Sequence, residues 1–82
     1  MKDIATGSTL RVRISGFKVP YLIVDVRQIE QVKAFLQSKG YVYELIRNAV
    51  TLDGRETDVV FNFGKISQEQ LEALKSDIAS AP

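Results

Sequence analysis

The sequence predicts an α+β fold of order ββαββα, and three observations carry the prediction. Residues 9–15, 21–26, 41–52 and 57–63 are extended and apolar by alternation or by β-branched content. Two stretches of helical period, about residues 26–39 and 68–78, each follow a pair of these segments. A single tight-turn pair, Asp53-Gly54, joins the last two segments into a hairpin.

In the first segment Leu10, Val12 and Ile14 alternate with Arg11, Arg13 and Ser15, the pattern of a half-buried strand that Gly16 ends. Residues 21–26 form a nearly continuous apolar run, which suits an interior strand. Asp25 followed by Gln28 is a capping-box variant, and Val24 with Ile29 is a hydrophobic staple, so a helix is expected to open here. Ile29, Val32, Phe35 and Leu36 share one arc of that helix, and Gly40 provides its left-handed exit. Ser67 with Gln70 repeats the capping grammar for the second helix, whose stripe Leu71, Leu74, Ile78 is narrow enough to lie on a sheet.

Strand parity imposes a further condition. A two-residue Asp53-Gly54 loop with an unbroken ladder sets Leu45 opposite Asn62, which separates Tyr43 and Leu45 from Phe61 and Phe63. A three-residue loop, or a bulge near residues 47–49, restores all four to one face. Two topologies then fit. In a split βαβ sheet, a ferredoxin-like variant, the last strand lies between two parallel ones and the N-terminal strand adds by hairpin. In a β-grasp-like arrangement two hairpins clasp the first helix. The first is favoured, as a four-stranded, mainly antiparallel sheet with both helices on one face. Residues 9–78 form this single domain, flanked by segments 1–8 and 79–82 that are expected to fray.

With Leu10, Val12, Ile14, Leu22, Val24, Tyr43, Leu45, Val59, Phe61 and Phe63 under the helices, the opposite face carries Arg11, Arg13, Tyr21, Ile23, Val42, Glu44, Ile46, Asp58 and Val60. That is an apolar patch with a charged rim, the make-up of an interaction surface or homodimer seam. The bland alternative is a scatter of surface apolars partly covered by arginine stems.

Composition limits the chemistry. The 82 residues carry eleven Lys plus Arg against ten Asp plus Glu, with 45% apolar content and neither His nor Cys. Imidazole bases, Ser-His-Asp triads, thiolate nucleophiles, Fe–S clusters and disulfides are therefore excluded, and no cofactor is expected. The absence of Cys favours a reducing, cytoplasmic setting. Residues 1–7 lack an apolar leader core, and no stretch approaches the roughly 18 apolar residues that cross a bilayer, so no membrane partner is expected. Residues 1–40 hold seven basic and three acidic side chains, while residues 41–82 hold four and seven. The polarity suits contacts between unlike surfaces.

Three motifs bear on chemistry. Lys39-Gly40-Tyr41-Val42-Tyr43 is similar to the basic-Gly-aromatic opening of the RNA-binding motif of the RRM family, a resemblance that implies rings on a sheet stacking bases. It covers five residues and departs at Val42, Glu44 and Ile46. A helix-ending glycine before an edge strand accounts for the same residues. Gly64-Lys65-Ile66-Ser67 lacks the Walker consensus and reads as a turn with a capping serine. Asp25, Glu44 and Asp58 can share the open face, yet capping and cross-strand pairing employ each of them.

The expectation is a non-enzymatic protein-interaction or regulatory module, homodimeric through the open face, that docks a protein partner or adds a strand at the exposed Tyr41–Leu52 edge. Tyr21, Ile23, Val42, Ile46 and Val60 are its apolar contacts, and Arg11, Arg13 and Glu44 form the rim. The alternative is a weak nucleic-acid binder that uses Arg11 and Arg13 with the sheet tyrosines.

Overall fold

A computed structural model describes residues 1–82. The strands are β1 (Arg13–Ile14), β2 (Pro20–Asp25), β3 (Glu44–Leu52) and β4 (Arg55–Asn62), and the helices are α1 (Ile29–Ser38) and α2 (Gln68–Ser80). They form one open antiparallel sheet of order β1-β2-β4-β3. β2 and β3 both run antiparallel to β4 and so parallel to each other, which is the split arrangement. A β-grasp would seat the first strand centrally, whereas β1 is an edge here.

Both helices pack on one face. Leu22 and Val24 of β2 and Val59 and Phe61 of β4 meet Val32 and Leu36 of α1 and Leu74 and Ile78 of α2, all nearly or wholly excluded from solvent. Removal of this apolar surface from water is the main force holding sheet and helices together.

Tyr43, Leu45, Phe61 and Phe63 do share the helix side, with the Tyr43 and Phe61 rings 5.1 Å apart and tilted by 58°. The means is a bulge. The turn is a two-residue loop, with Asp53 and Gly54 both left-handed and Leu52 opposite Arg55. Further along, the ladder shifts twice: Thr57 of β4 is passed over between the Thr51–Glu56 and Val50–Asp58 pairs, and residues 47–49 of β3 oppose only Val59 of β4 between the Val50–Asp58 and Ile46–Val60 pairs, so the net displacement is one residue. Asn48 occupies the left-handed region at φ 60° within this bulge. The Glu56 carboxylate fastens it, accepting the Asn48 backbone N–H and the Arg47 guanidinium, with Nε–Oε1 at 3.1 Å.

Several expectations need correction. The first strand shrinks to Arg13–Ile14, and Ile14, expected under the helices, is 42% exposed because the helices lie over β2 and β4 and leave this edge uncovered. The Asp25–Gln28 capping box does not form. Residues Val26–Gln28 make a 3₁₀ turn ahead of α1, and Asp25 caps it by accepting the Arg27 N–H. Gln28 is buried and turned to the N-terminal segment, where its Nε2 donates to Lys2 O at 2.7 Å and its Oε1 accepts from Ile4 N–H at 2.9 Å. The segment expected to fray is therefore tied down. Met1 is part of the core, its nitrogen donates to Ile78 O, and Lys2 bridges Thr9. At the other terminus α2 continues to Ser80 and Ala81 packs on the core. The Ser67–Gln70 capping box forms in full.

Two measurements check this account. Asn48→Gly should be tolerated because glycine accepts positive φ freely, whereas Asn48→Val should cost about 1–2 kcal/mol in denaturant unfolding. Gln28→Ala should cost about 1–3 kcal/mol and expose the Ile4 amide to hydrogen exchange, since it removes both ties to the N-terminal segment.

Candidate functional site: the open sheet face

The strand register sorts the open face into rows. Arg13, Tyr21, Asn62 and Glu44 form one row across all four strands. Ile23, Val60 and Ile46 form the next, and Asp25, Asp58 and Val50 the third. The middle row is an apolar band over three strands. Its three side chains are partly buried by one another and by their neighbours, and no helix lies over them. Cross-strand packing of β-branched residues holds such a band in place without a second layer.

The rim is charged at opposite margins. Arg11 and Arg13 are exposed along the β1 side and Glu44 along the β3 side, and none of the three has an ion-pair partner within the chain. On the β1 side the N-terminal segment raises a wall, leaving a groove of about 610 Å³ bordered by Asp3, Thr9, Arg11, Arg13 and Ile23. The face is thus concave at its basic margin.

Seven of the eight expected site residues lie on or beside this face. Val42 does not. It precedes β3, outside the paired strands, and is 86% exposed on the segment between α1 and β3. The cause is that β3 begins pairing only at Glu44.

The tyrosines also separate. Tyr21 is on the open face, but Tyr43 packs on Phe61 beneath the helices and receives a hydrogen bond from Gln37 Nε2 at 3.3 Å. Tyr41 donates its hydroxyl to Asp77 Oδ2 of α2 at 2.6 Å. Burial, reinforced by that carboxylate, pushes the Tyr41 hydroxyl up to about 12. The stacking surface implied by the resemblance at residues 39–43 is therefore not assembled, because its rings tie the sheet to the helices. Gly64 and Ser67 likewise have local roles. The Gly64 N–H donates to Asn62 Oδ1 and Ser67 caps α2.

The acids do not form a catalytic or metal cluster. Glu44 is two rows from Asp25 and Asp58, and no group of three or more acidic side chains is placed to hold a cation. Asp25 is bound by Arg27, with Nε–Oδ1 and Nη2–Oδ2 both 2.9 Å. Hydrogen bonds from the Arg27 side chain and backbone lower its pKa from 3.8 to about 2, against the opposing effect of burial. Features that sequence reasoning passed over are Gln28 as a tether, Glu56 as the clasp of the bulge, and Phe17 at the β1–β2 tip. The Ser-Gly-Phe-Lys run between two strands was the available sign of the last.

A carboxylate whose folded pKa is depressed stabilises the fold above its ordinary pKa and loses that contribution as pH falls through the folded value. The Asp25 contribution should thus be complete above pH 3.8 and disappear as pH falls towards about 2. Because the Arg27 side chain is 62% exposed, solvent screening holds the benefit to about 1 kcal/mol. Acid unfolding of Asp25→Asn should show a shallower pH dependence across that window. Comparison with protein-family models, curated proteins and solved structures finds no match to this chain.

Proposed function

We propose that this chain is a non-enzymatic docking module whose working surface is the open sheet face, with a second copy of itself as the first partner to test. The observation that carries the reading is the band Ile23–Val60–Ile46, continuous over three strands and uncovered by any helix. A contiguous apolar patch within a charged rim is the anatomy of a protein interface.

Two further features support it. Strand addition is poorly served at either edge, since β1 pairs over only two residues and the β3 ladder is interrupted by the bulge. The face therefore offers more than the edges. Its unpaired basic and acidic margins allow two copies to satisfy each other when the β1 side of one meets the β3 side of the other. A two-fold axis along the strands achieves this, setting Arg13 of each copy towards Glu44 of its mate. The face is small for a stable interface, whose standard size is about 1,600 Å² in total, so the association is expected to be weak and concentration-dependent.

Single-stranded nucleic acid is the less favoured occupant. Tyr21 is the one tyrosine left on the face, and a lone ring with two arginines makes a poor stacking track.

Sedimentation velocity over a concentration series tests the proposal. The native chain should shift from monomer towards dimer as concentration rises, and Ile23→Asp or Val60→Asp should remain monomeric with an unchanged far-ultraviolet circular dichroism spectrum. A native chain that is monomeric throughout would remove self-association as the function of this face.

A further inference from the structure

A second surface, separate from the open face, lies at one end of the sheet. The β1–β2 loop (residues 15–19), the segment joining α1 to β3 (residues 39–43) and the segment leading into α2 (residues 63–67) all emerge there, because β1 and β4 end where β2 and β3 begin. The two most exposed large apolar side chains of the protein are on these segments: Phe17 at 88% and Val42 at 86%. Each segment also carries one exposed lysine, namely Lys18, Lys39 and Lys65, and none contains an acid. Val42 and Lys65 border the same shallow cleft, of about 320 Å³. The nearest acids in sequence are Glu44, at the start of β3, and Glu69, in the first turn of α2.

The Phe17 loop is fixed rather than slack. Ser15 Oγ accepts the N–H groups of Phe17 and Val19 at 3.3 and 3.2 Å, and Ser15 O accepts that of Lys18 at 2.9 Å. Lys18 is held at φ 60°, a left-handed conformation that a side chain adopts at a cost. The ring is thereby presented to solvent in advance of any contact, which spares the ordering entropy of docking.

We infer that this end of the sheet docks onto the surface of an anionic lipid bilayer, with Phe17 and Val42 entering the headgroup region and Lys18, Lys39 and Lys65 engaging the lipid phosphates and carboxylates. Charge complementarity selects an anionic partner, and the apolar tips narrow its class. A nucleic acid gains nothing from an aliphatic valine that cannot stack. A folded protein would need two matched pockets roughly 14 Å apart, three strand spacings, to receive two convex tips. A bilayer surface accepts both without matched pockets and rewards the combination of apolar insertion and basic flanks. The contact is peripheral, and no helix is long and apolar enough to cross a membrane. The sequence expectation of no membrane partner rested on the lack of a leader core and of a crossing stretch, and the proposal departs from it.

The chain has no tryptophan, so Phe17→Trp supplies a single fluorescent reporter at the proposed point of entry. Its emission should move to shorter wavelength with phosphatidylcholine vesicles containing about 30% phosphatidylserine, stay unchanged with pure phosphatidylcholine, and return to its free value in high salt. In the same background, Lys39→Glu with Lys65→Glu, or Val42→Asp, should weaken vesicle affinity by about tenfold or more while leaving the circular dichroism spectrum intact. The inference is overturned by an unshifted emission with anionic vesicles, by an equal shift with neutral ones, or by a response confined to single-stranded oligonucleotide. None of these results bears on the open face, whose variants and readout are independent.

Discussion

The two register shifts in the β3–β4 ladder, the bulge at residues 47–49 and the step between Val50 and Thr51, together decide which side chains become core and which become surface. Strand side chains alternate with period two, so shifting the β3–β4 register by one residue would send Leu45 to the open face and draw Glu44 and Ile46 under the helices. The native register avoids a buried acid there and places Tyr43 against Phe61. The clasp is local and polar. Glu56 accepts from both Asn48 and Arg47, and these hydrogen bonds hold its carboxyl below the usual range for glutamate. A surface ion pair is a weak source of stability in general. Here its consequence is geometric, because it holds the larger of the two points at which the ladder changes register.

That geometry also shapes what the sheet presents to other molecules. A long regular edge strand invites pairing by further strands, and natural sheets commonly blunt such edges with bulges, charges or short strands. The interrupted β3 and the two-residue β1 are two such devices. The interior strands consequently hold the longest regular surface, and on the uncovered side that surface is the Ile23–Val60–Ile46 band. Beside it, at the β1 margin of the same face, the N-terminal segment, anchored by Gln28 and by Met1 in the core, raises a wall next to Arg11 and Arg13.

Much of the fold was legible in the sequence because its signals are short-range. The apolar run at residues 21–26, the Asp53-Gly54 turn and the Ser67–Gln70 box each depend on neighbours within a few residues. Parity took the reading further, since Tyr43 and Leu45 can share a face with Phe61 and Phe63 only through a bulge or a longer loop. What escaped depends on contacts distant in sequence. Nothing near Gln28 indicates that it will bond Lys2 and Ile4 rather than cap a helix, and nothing near Tyr41 announces Asp77, 36 residues away. Val42 was misplaced because alternation continues through it while pairing does not. Phe17 escaped because exposure at a hairpin tip is set by the loop's own hydrogen bonds.

The titratable groups argue in the same direction as the apolar ones. Active sites shift the pKa values of groups left free to react, whereas structural pairs shift those of groups already engaged. In this chain each clear shift belongs to an engaged group: Asp25 with Arg27, Glu56 with Arg47, and Tyr41 with Asp77. Asp25 closes a 3₁₀ turn, Glu56 closes a bulge and Tyr41 joins the segment before β3 to α2. Their charges and hydrogen-bonding capacity are spent on backbone geometry. Among the ionic side chains left without an ion-pair partner, Arg11, Arg13 and Glu44 are exposed beside the apolar band on which the docking proposal rests. A domain this small has one core to stabilise it, and its strongest polar interactions are committed to fixing a turn, a bulge and a helix contact around that core.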